Sequence, residues 1–417
     1  MNKLLLCTAL LVSQLLAAQT IVIRNTNILP MTHDTVLIGQ TVIIENGIIK
    51  SISKTPEIPL NAEIINANGM YLTPGLMDMH AHLENDFSRY DYYRYSMACG
   101  VTLMRSMRTE EKDIAERDKI EKGEITGPHL WLTAPPISGD STWDQIMINV
   151  AVNDAKKKGF TCLKYLGGLD SLQFEKLAAT AKSAGLSIVG HAPPGKLTQA
   201  ISTGMRSIEH APVFFNLAAA DTATQRYVIS KMAAANVAFC PNLHHYNLLY
   251  NMYTKYEREN LPGLSIVPKN KLAAWDKSLN KTWKYFDSLG FTADKQKQRM
   301  GSFSRLIPMM SRNGVLLLCS PDVGEYTVPG YAMVEELMQF MRFGLTPYEA
   351  LKTATVNPAK VLGETKRGTV QVGNFADLVL LAENPLNNMR AYQYAKYTIV
   401  HGKVYSTRKL RKGKYVP

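Results

Sequence analysis

The sequence predicts an α/β protein in which eight parallel strands and their helices close into a (β/α)8 barrel, with a small composite β-sandwich domain built from both chain ends. Three observations carry this. From Gly100 onward, short apolar segments alternate with helix-length amphipathic ones, and strict alternation requires parallel pairing. Eight such units over about 290 residues fit a closed barrel of the TIM type better than an open sheet. Both flanks instead read as strands separated by tight turns, so one small sheet domain assembled from the two ends is expected.

The elements follow in order. Residues 1–18 carry Lys3, an apolar run Leu4–Leu16 and the small pair Ala17-Ala18. This is the layout of a secretory signal peptide, with cleavage expected near Ala18 and a secreted or periplasmic product; the run is too short for a transmembrane anchor. Residues 19–70 hold the runs TIVIRNTNIL and TVIIENGIIKSI, the second turning at Asn46-Gly47. The barrel spans 71–365. Its expected strands are Tyr71–Met79, VTLMRSM (101–107), HLWLTA (129–134), TCLKYLGG (161–168), SIVGHA (187–192), RSIEHA (206–211), NVAFCPNL (236–243) and VLLLCSPD (315–322). Helix-like stretches at 110–122, 142–158, 172–185, 196–204 and 224–235 separate them. An insertion of about 244–300, rich in Tyr, Trp and Lys, precedes the last strand and sits where barrels place lids. Residues 366–417 complete the sheet domain, with a second tight turn at His401-Gly402.

A hydrophobic content of 46% with 27 Gly and 20 Pro suits a large globular chain and excludes disordered or fibrous classes. The formal charge of +12 falls to +11 once Lys3 leaves with the signal. The surplus concentrates in 255–298 and 402–413, neither of which has the aromatic-plus-basic periodicity of a nucleic-acid module, so no nucleic-acid partner is expected. Cys99, Cys162, Cys240 and Cys319 remain after export; three lie within apolar strand-like runs, which favours buried free thiols. A homo-oligomeric state is left open.

The chemistry lies at the strand ends. In an extended chain residues i and i+2 share a face, so His80 and His82 aim at one point. Lys164 lies in the fourth strand between Leu163 and Tyr165; His191 closes the fifth, His210 the sixth and Asp322 the eighth. Barrel enzymes place their chemistry at this C-terminal mouth. Four of the nine histidines belong to the set, whereas His33, His129 and His401 fall outside it and read as structural or surface residues.

These segments resemble the amidohydrolase superfamily, in particular its imidazolonepropionase-like and Xaa-Pro dipeptidase-like branch. PGLMDMHAH (74–82) is similar to the family's first-strand signature and GFTCLKYLGG (159–168) to its lysine strand. SIVGHA, SIEHA and CSPDVG are similar to the fifth, sixth and eighth, and LTPYEALKTATVNPAKVLG (345–363) and GNFADLVLL (373–381) to the trailing helices and closing sheet. The resemblance implies two divalent metal ions, with zinc the first choice and Mn, Co or Fe open. His80, His82 and Asp322 would hold one, His191 and His210 the other, and Lys164 would bridge them as an N-carboxylysine. It further implies cleavage of a C–N bond in a small-molecule amide, a dipeptide or a cyclic amide, by a metal-bridging hydroxide, with Asp322 moving the proton.

Substrate identity is where the chain departs from its relatives. Pro321 precedes Asp322 in place of Thr or Ser, Ser106 stands where Asp is common, and Ala211-Pro212 with Phe214-Phe215 replaces a Gly-Tyr pattern after His210. Tyr165, His244 and Arg105 are the candidate substrate contacts. His244 reads equally as lid packing, and Arg105, with Arg108, equally as a structural ion pair. A lactone or phosphotriester hydrolase on the same metals, and a non-catalytic exported binding protein, are the competing functions.

Overall fold

A computed structural model describes residues 20–84, 86–193 and 196–415; the expected signal peptide lies outside them. The chain is an α/β protein with parallel-strand sheets. One parallel sheet contains the strands Leu76–Ala81, Val101–Ser106 and His129–Leu132 in that order. A second contains Ile137–Ser138, Cys162–Gly167, Ser187–Gly190, Ser207–Glu209 and Ala238–Cys240. Backbone hydrogen bonds link the edges of the two. Ala134 N donates to Cys162 O at 2.7 Å on one side. On the other, Leu318 N donates to Phe239 O at 2.8 Å and Met79 N to Cys319 O at 3.1 Å.

Two expected strands differ in form. The segment Tyr71–Met79 is broken at Gly75: Tyr71–Pro74 joins the flanking sheet, while Leu76–Ala81 starts the parallel one. The break needs glycine, because a Cβ there would lie 2.1 Å from Thr102 Oγ1. The segment 315–322 makes only an isolated bridge between Leu317 and Phe239. Its backbone is divided among three neighbours, since Cys319 N donates to Thr353 O at 2.9 Å in addition to the contacts with Phe239 and Met79. Asp322 then turns with φ at 60°.

Strands from both ends share one eight-stranded sheet. Its path runs from Lys403–Ser406 through Tyr397–Val400, Leu378–Leu381, Tyr71–Pro74, Thr20–Ile28 and Leu37–Glu45 to Ile48–Ser53, with Glu63–Asn66 also paired to Thr20–Ile28. The expected sandwich is thus one continuous hydrogen-bonded sheet, with its own core of Ile21, Ile23, Val42, Ile44, Leu72, Leu378 and Ile399. Both tight turns are present: Glu45 pairs Ile48 across Asn46-Gly47, and Val400 pairs Lys403 across His401-Gly402. All four turn residues have positive φ, as two-residue hairpins demand.

The insertion is helical, including Leu243–Leu249, Lys269–Ser288 and Ala293–Gly301, around a separate cluster of Leu248, Tyr253, Trp275, Leu279, Tyr326 and Val328. Cys99, Cys162, Cys240 and Cys319 are free and buried. Among the described residues, no helix is long and apolar enough to cross a membrane.

Candidate metal centre

Leu76–Ala81 is buried along its whole length, and its alternation sends His80 and His82 to the same side, ring centroids 5.3 Å apart. His210 follows the strand Ser207–Glu209 with φ at 77° and places its ring 4.8 Å from that of His80. His191 follows Ser187–Gly190, its ring also 4.8 Å from that of His210. Asp322 completes the group: its Oδ1 is 3.3 Å from His82 Nε2 and 3.8 Å from His80 Nε2, and its Oδ2 is 3.6 Å from His210 Nδ1. His210 and Asp322 both sit at positive φ, a conformation non-glycine residues rarely adopt and one that is frequent at functional sites.

Lys164 belongs to the strand Cys162–Gly167 and is fully buried. Its Nζ has no hydrogen-bond partner among the described residues. Burial pulls the ammonium down to about 8, while Glu209 and Asp322 pull it upward. Its charge in turn contributes to lowering His80, His191 and His210. Gly190 permits this crowding on the neighbouring strand, since a Cβ there would meet Lys164 Cδ at 3.1 Å and Tyr165 O at 2.2 Å.

His80, His191 and His210 are pushed towards the neutral form. Burial brings His80 to about 4 and takes His210 well below its usual range. His80 Nδ1 lies 3.0 Å from Glu209 Oε2, and His191 Nδ1 lies 2.7 Å from Leu166 O. Each contact fixes Nδ1 as the proton-bearing nitrogen and leaves Nε2 its lone pair, the usual support behind a metal-bound imidazole. Burial works to raise the Asp322 carboxyl, but His80, His82, His245 and His210 around it hold it well below the ordinary range.

Two acids were missed by sequence reasoning. Glu209 is wholly buried between His80 and Arg105, whose Nη2 donates to Glu209 Oε1 at 2.8 Å. Burial works to raise its carboxyl, but Arg105 and His80 hold it well below the usual range. Asp78 accepts from Ser320 Oγ at 2.6 Å and from His80 N at 3.2 Å, tying the first strand to the eighth segment; burial raises its carboxyl to about 6. The available signal was an acid inside an apolar run, in LMDMHA and SIEHA.

The three candidate substrate contacts are placed differently. Arg105 is fully buried, donating to Met79 O at 2.6 Å and to Ser207 Oγ at 2.9 Å as well as to Glu209; of its two readings the ion pair is the one observed. Tyr165 is buried against Phe174, with Leu169 N donating to its hydroxyl at 3.2 Å. His244 is buried, its Nδ1 2.8 Å from Tyr253 Oη. Desolvation and existing partners hold all three in place. Tyr246, which follows His244-His245 after the seventh strand, stands edge-on to His210, ring centroids 5.9 Å apart. A small cleft lined by Asp78, Phe87, Tyr92, Asp322 and Thr327 opens beside Asp322.

The amidohydrolase family profile matches residues 71–405. The chain belongs to the amidohydrolase family. Imidazolonepropionase of Idiomarina loihiensis is 23% identical to this amidohydrolase over 404 residues, covering 86% of this chain and 90% of that protein. Dihydroorotase of Geobacter metallireducens is 41% identical over 49 residues, so the chain spans only 12% of that relative's length. Among solved structures, a bottromycin amidohydrolase superposes with TM-score 0.76 at 21% identity, covering 94% of this chain and 88% of that one. A Xaa-Pro dipeptidase with bound methionine superposes with TM-score 0.69 at 17% identity, covering 93% and 100%. At these identities the structural likeness is one of fold.

The family implies divalent metal, and the donors fit it. Neutral imidazoles and carboxylates are the ligands borderline divalent ions take. Among the described residues, the buried Lys164 Nζ and His210 Nδ1 have no hydrogen-bond partner.

Proposed function

We propose that this amidohydrolase is an exported enzyme that hydrolyses a C–N bond in a small amide, a dipeptide or a cyclic amide, using two divalent ions, zinc first. His80, His82 and Asp322 would hold one ion, His191 and His210 the other, and Lys164 both. The observation that carries this reading is the buried, unpartnered Lys164 amine among His80, His191 and His210. Its neutral form adds carbon dioxide to give a carbamate and a released proton. The carbamate's two oxygens then satisfy a site that one amine cannot.

Bound ions at these donors polarise a carbonyl and lower the pKa of water towards neutrality. This chain's residues do the rest. Glu209 and Leu166 O hold the His80 and His191 rings so that Nε2 faces the centre. Asp322 takes the proton of the attacking water and delivers it to the departing amine. Phe87, Tyr92 and Tyr246 border the space beside Asp322 and His210 and exclude water from it.

The eight parallel segments are read as one closed barrel over 71–365, with 19–70 and 366–417 as its side domain. The edge-to-edge backbone hydrogen bonds and the shared eight-stranded sheet support that division. Export rests on the composition of residues 1–18. The test is a zinc-loaded preparation screened against Xaa-Pro and other dipeptides, cyclic amides, lactones and phosphotriesters. Metal-dependent release of an amine is expected. Metal-dependent turnover confined to lactones or phosphotriesters would replace the amide reading, and no turnover of any class would leave a binding protein.

A further inference from the structure

A second group of metal-type donors lies away from the centre described above. Glu121 ends the helix Glu111–Glu121, His129 begins the strand His129–Leu132, and His401 occupies the turn between Tyr397–Val400 and Lys403–Ser406. The three come from two bodies of the fold, the parallel strands with their helices and the flanking sheet. They sit at the N-terminal ends of the strands, opposite His80 and His82. Each can offer one donor atom with all three atoms within 4.8 Å of one another. Tetrahedral zinc, with bonds of about 2.0–2.1 Å, separates its donors by about 3.4 Å. His401 Nδ1 is 3.4 Å from Glu121 Oε2, and His129 Nδ1 is 2.7 Å from Glu121 Oε1. Of these two contacts the first already matches that spacing, and the second has to open to admit an ion.

Two further features favour a ligand over a plain polar cluster. His129 Nε2 lies 3.4 Å from Asp377 Oδ1, a carboxylate itself paired with Arg367, so the ring is braced from behind as metal-bound histidines are. His401 is nine-tenths buried, and its Nε2 has no hydrogen-bond partner among the described residues, which leave this imidazole incompletely used. Its ring centroid is 3.9 Å from that of His129. His401 also sits at φ 52°, in a turn where Asn, Asp or Gly is the unstrained choice.

We propose that Glu121, His129 and His401 form a structural site for a borderline divalent cation, zinc in the first place, that clamps the flanking sheet to the base of the parallel strands. The donor set of two imidazoles and one carboxylate selects zinc-like ions over magnesium or calcium. With its residues at the stability-determining face of the fold, the site would hold the two bodies together rather than catalyse.

The experiment counts zinc by atomic absorption in metal-stripped protein reconstituted with zinc, for wild type, His401→Asn and Glu121→Gln, and follows each unfolding midpoint against zinc concentration. His401→Asn suits the turn and so keeps the fold; Glu121→Gln changes a half-exposed side chain. Wild type is expected to hold one more zinc per chain than either variant. The zinc concentration giving half of the stabilisation from this site should rise tenfold or more in both. Equal zinc content in wild type and the two variants would overturn the proposal, as would a zinc-dependent midpoint that neither substitution changes. Neither residue belongs to the His80–Asp322 group, so these outcomes are independent of whether that group is catalytic.

Discussion

Glu209→Gln isolates the support behind the proposed metal centre. Glu209 and Arg105 are both fully buried, and the guanidinium and carboxylate meet at 2.8 Å. Gln keeps the shape but removes the charge, leaving Arg105 with neutral acceptors alone, Met79 O, Ser207 Oγ and the new amide oxygen, in a desolvated site. Breaking one side of a buried pair costs about 3–5 kcal/mol. The same substitution weakens the contact that fixes the His80 tautomer, and loss of such a partner lowers metal affinity by about 10–100-fold. Chemical unfolding of the metal-free protein measures the first effect, and competition with a chelator measures the second. Adding Arg105→Met should recover part of the stability but none of the metal affinity, because only the stability loss comes from the stranded guanidinium. A Glu209→Gln protein that binds zinc as tightly as wild type would refute the reasoning that Glu209 orients a ligand.

Three further outcomes are expected. Lys164→Ala should lower the metal content by half or more, with partial recovery on adding a short carboxylic acid; an unchanged metal count by atomic absorption would remove the bridging role. Asp322→Asn should lower turnover by about 10²–10⁴-fold while some metal stays bound, and full activity there would exclude Asp322 as the proton carrier. The folded protein resists protonation of His80, whose pKa falls from 6.5 to about 4, whereas the unfolded chain takes the proton below 6.5. The unfolded state therefore binds more protons in that window, and stability falls as pH drops from 6.5 to 4, by about 3 kcal/mol from His80. Urea melts of the metal-free protein across this range should show the loss, and a flat profile would contradict it.

The strand-end residues were legible because chain chemistry alone constrains them. The i, i+2 rule puts His80 and His82 on one face whatever the fold, and a lysine between Leu163 and Tyr165 has little reason to be there unless it is used. The two hairpins were legible for a similar reason, since Asn46-Gly47 and His401-Gly402 satisfy a local backbone requirement. Features set by two distant segments were not. The break at Gly75 depends on the approach of Thr102, and the missing ladder at 315–322 depends on Thr353, Phe239 and Met79 sharing its backbone. Arg105 could not be told from a substrate clamp until Glu209 was seen beside it. His129 and His401 read as bystanders because Glu121, which brings them together, carries no mark in its charged helix.

The most direct test is anomalous diffraction at the zinc edge from crystals of the zinc-loaded protein. Two adjacent peaks are expected, one against His80, His82 and Asp322, the other against His191 and His210, with density extending from Lys164 to both. Absence of any peak among these six side chains, in crystals whose protein contains zinc, would contradict the metal centre on which the proposed hydrolysis depends.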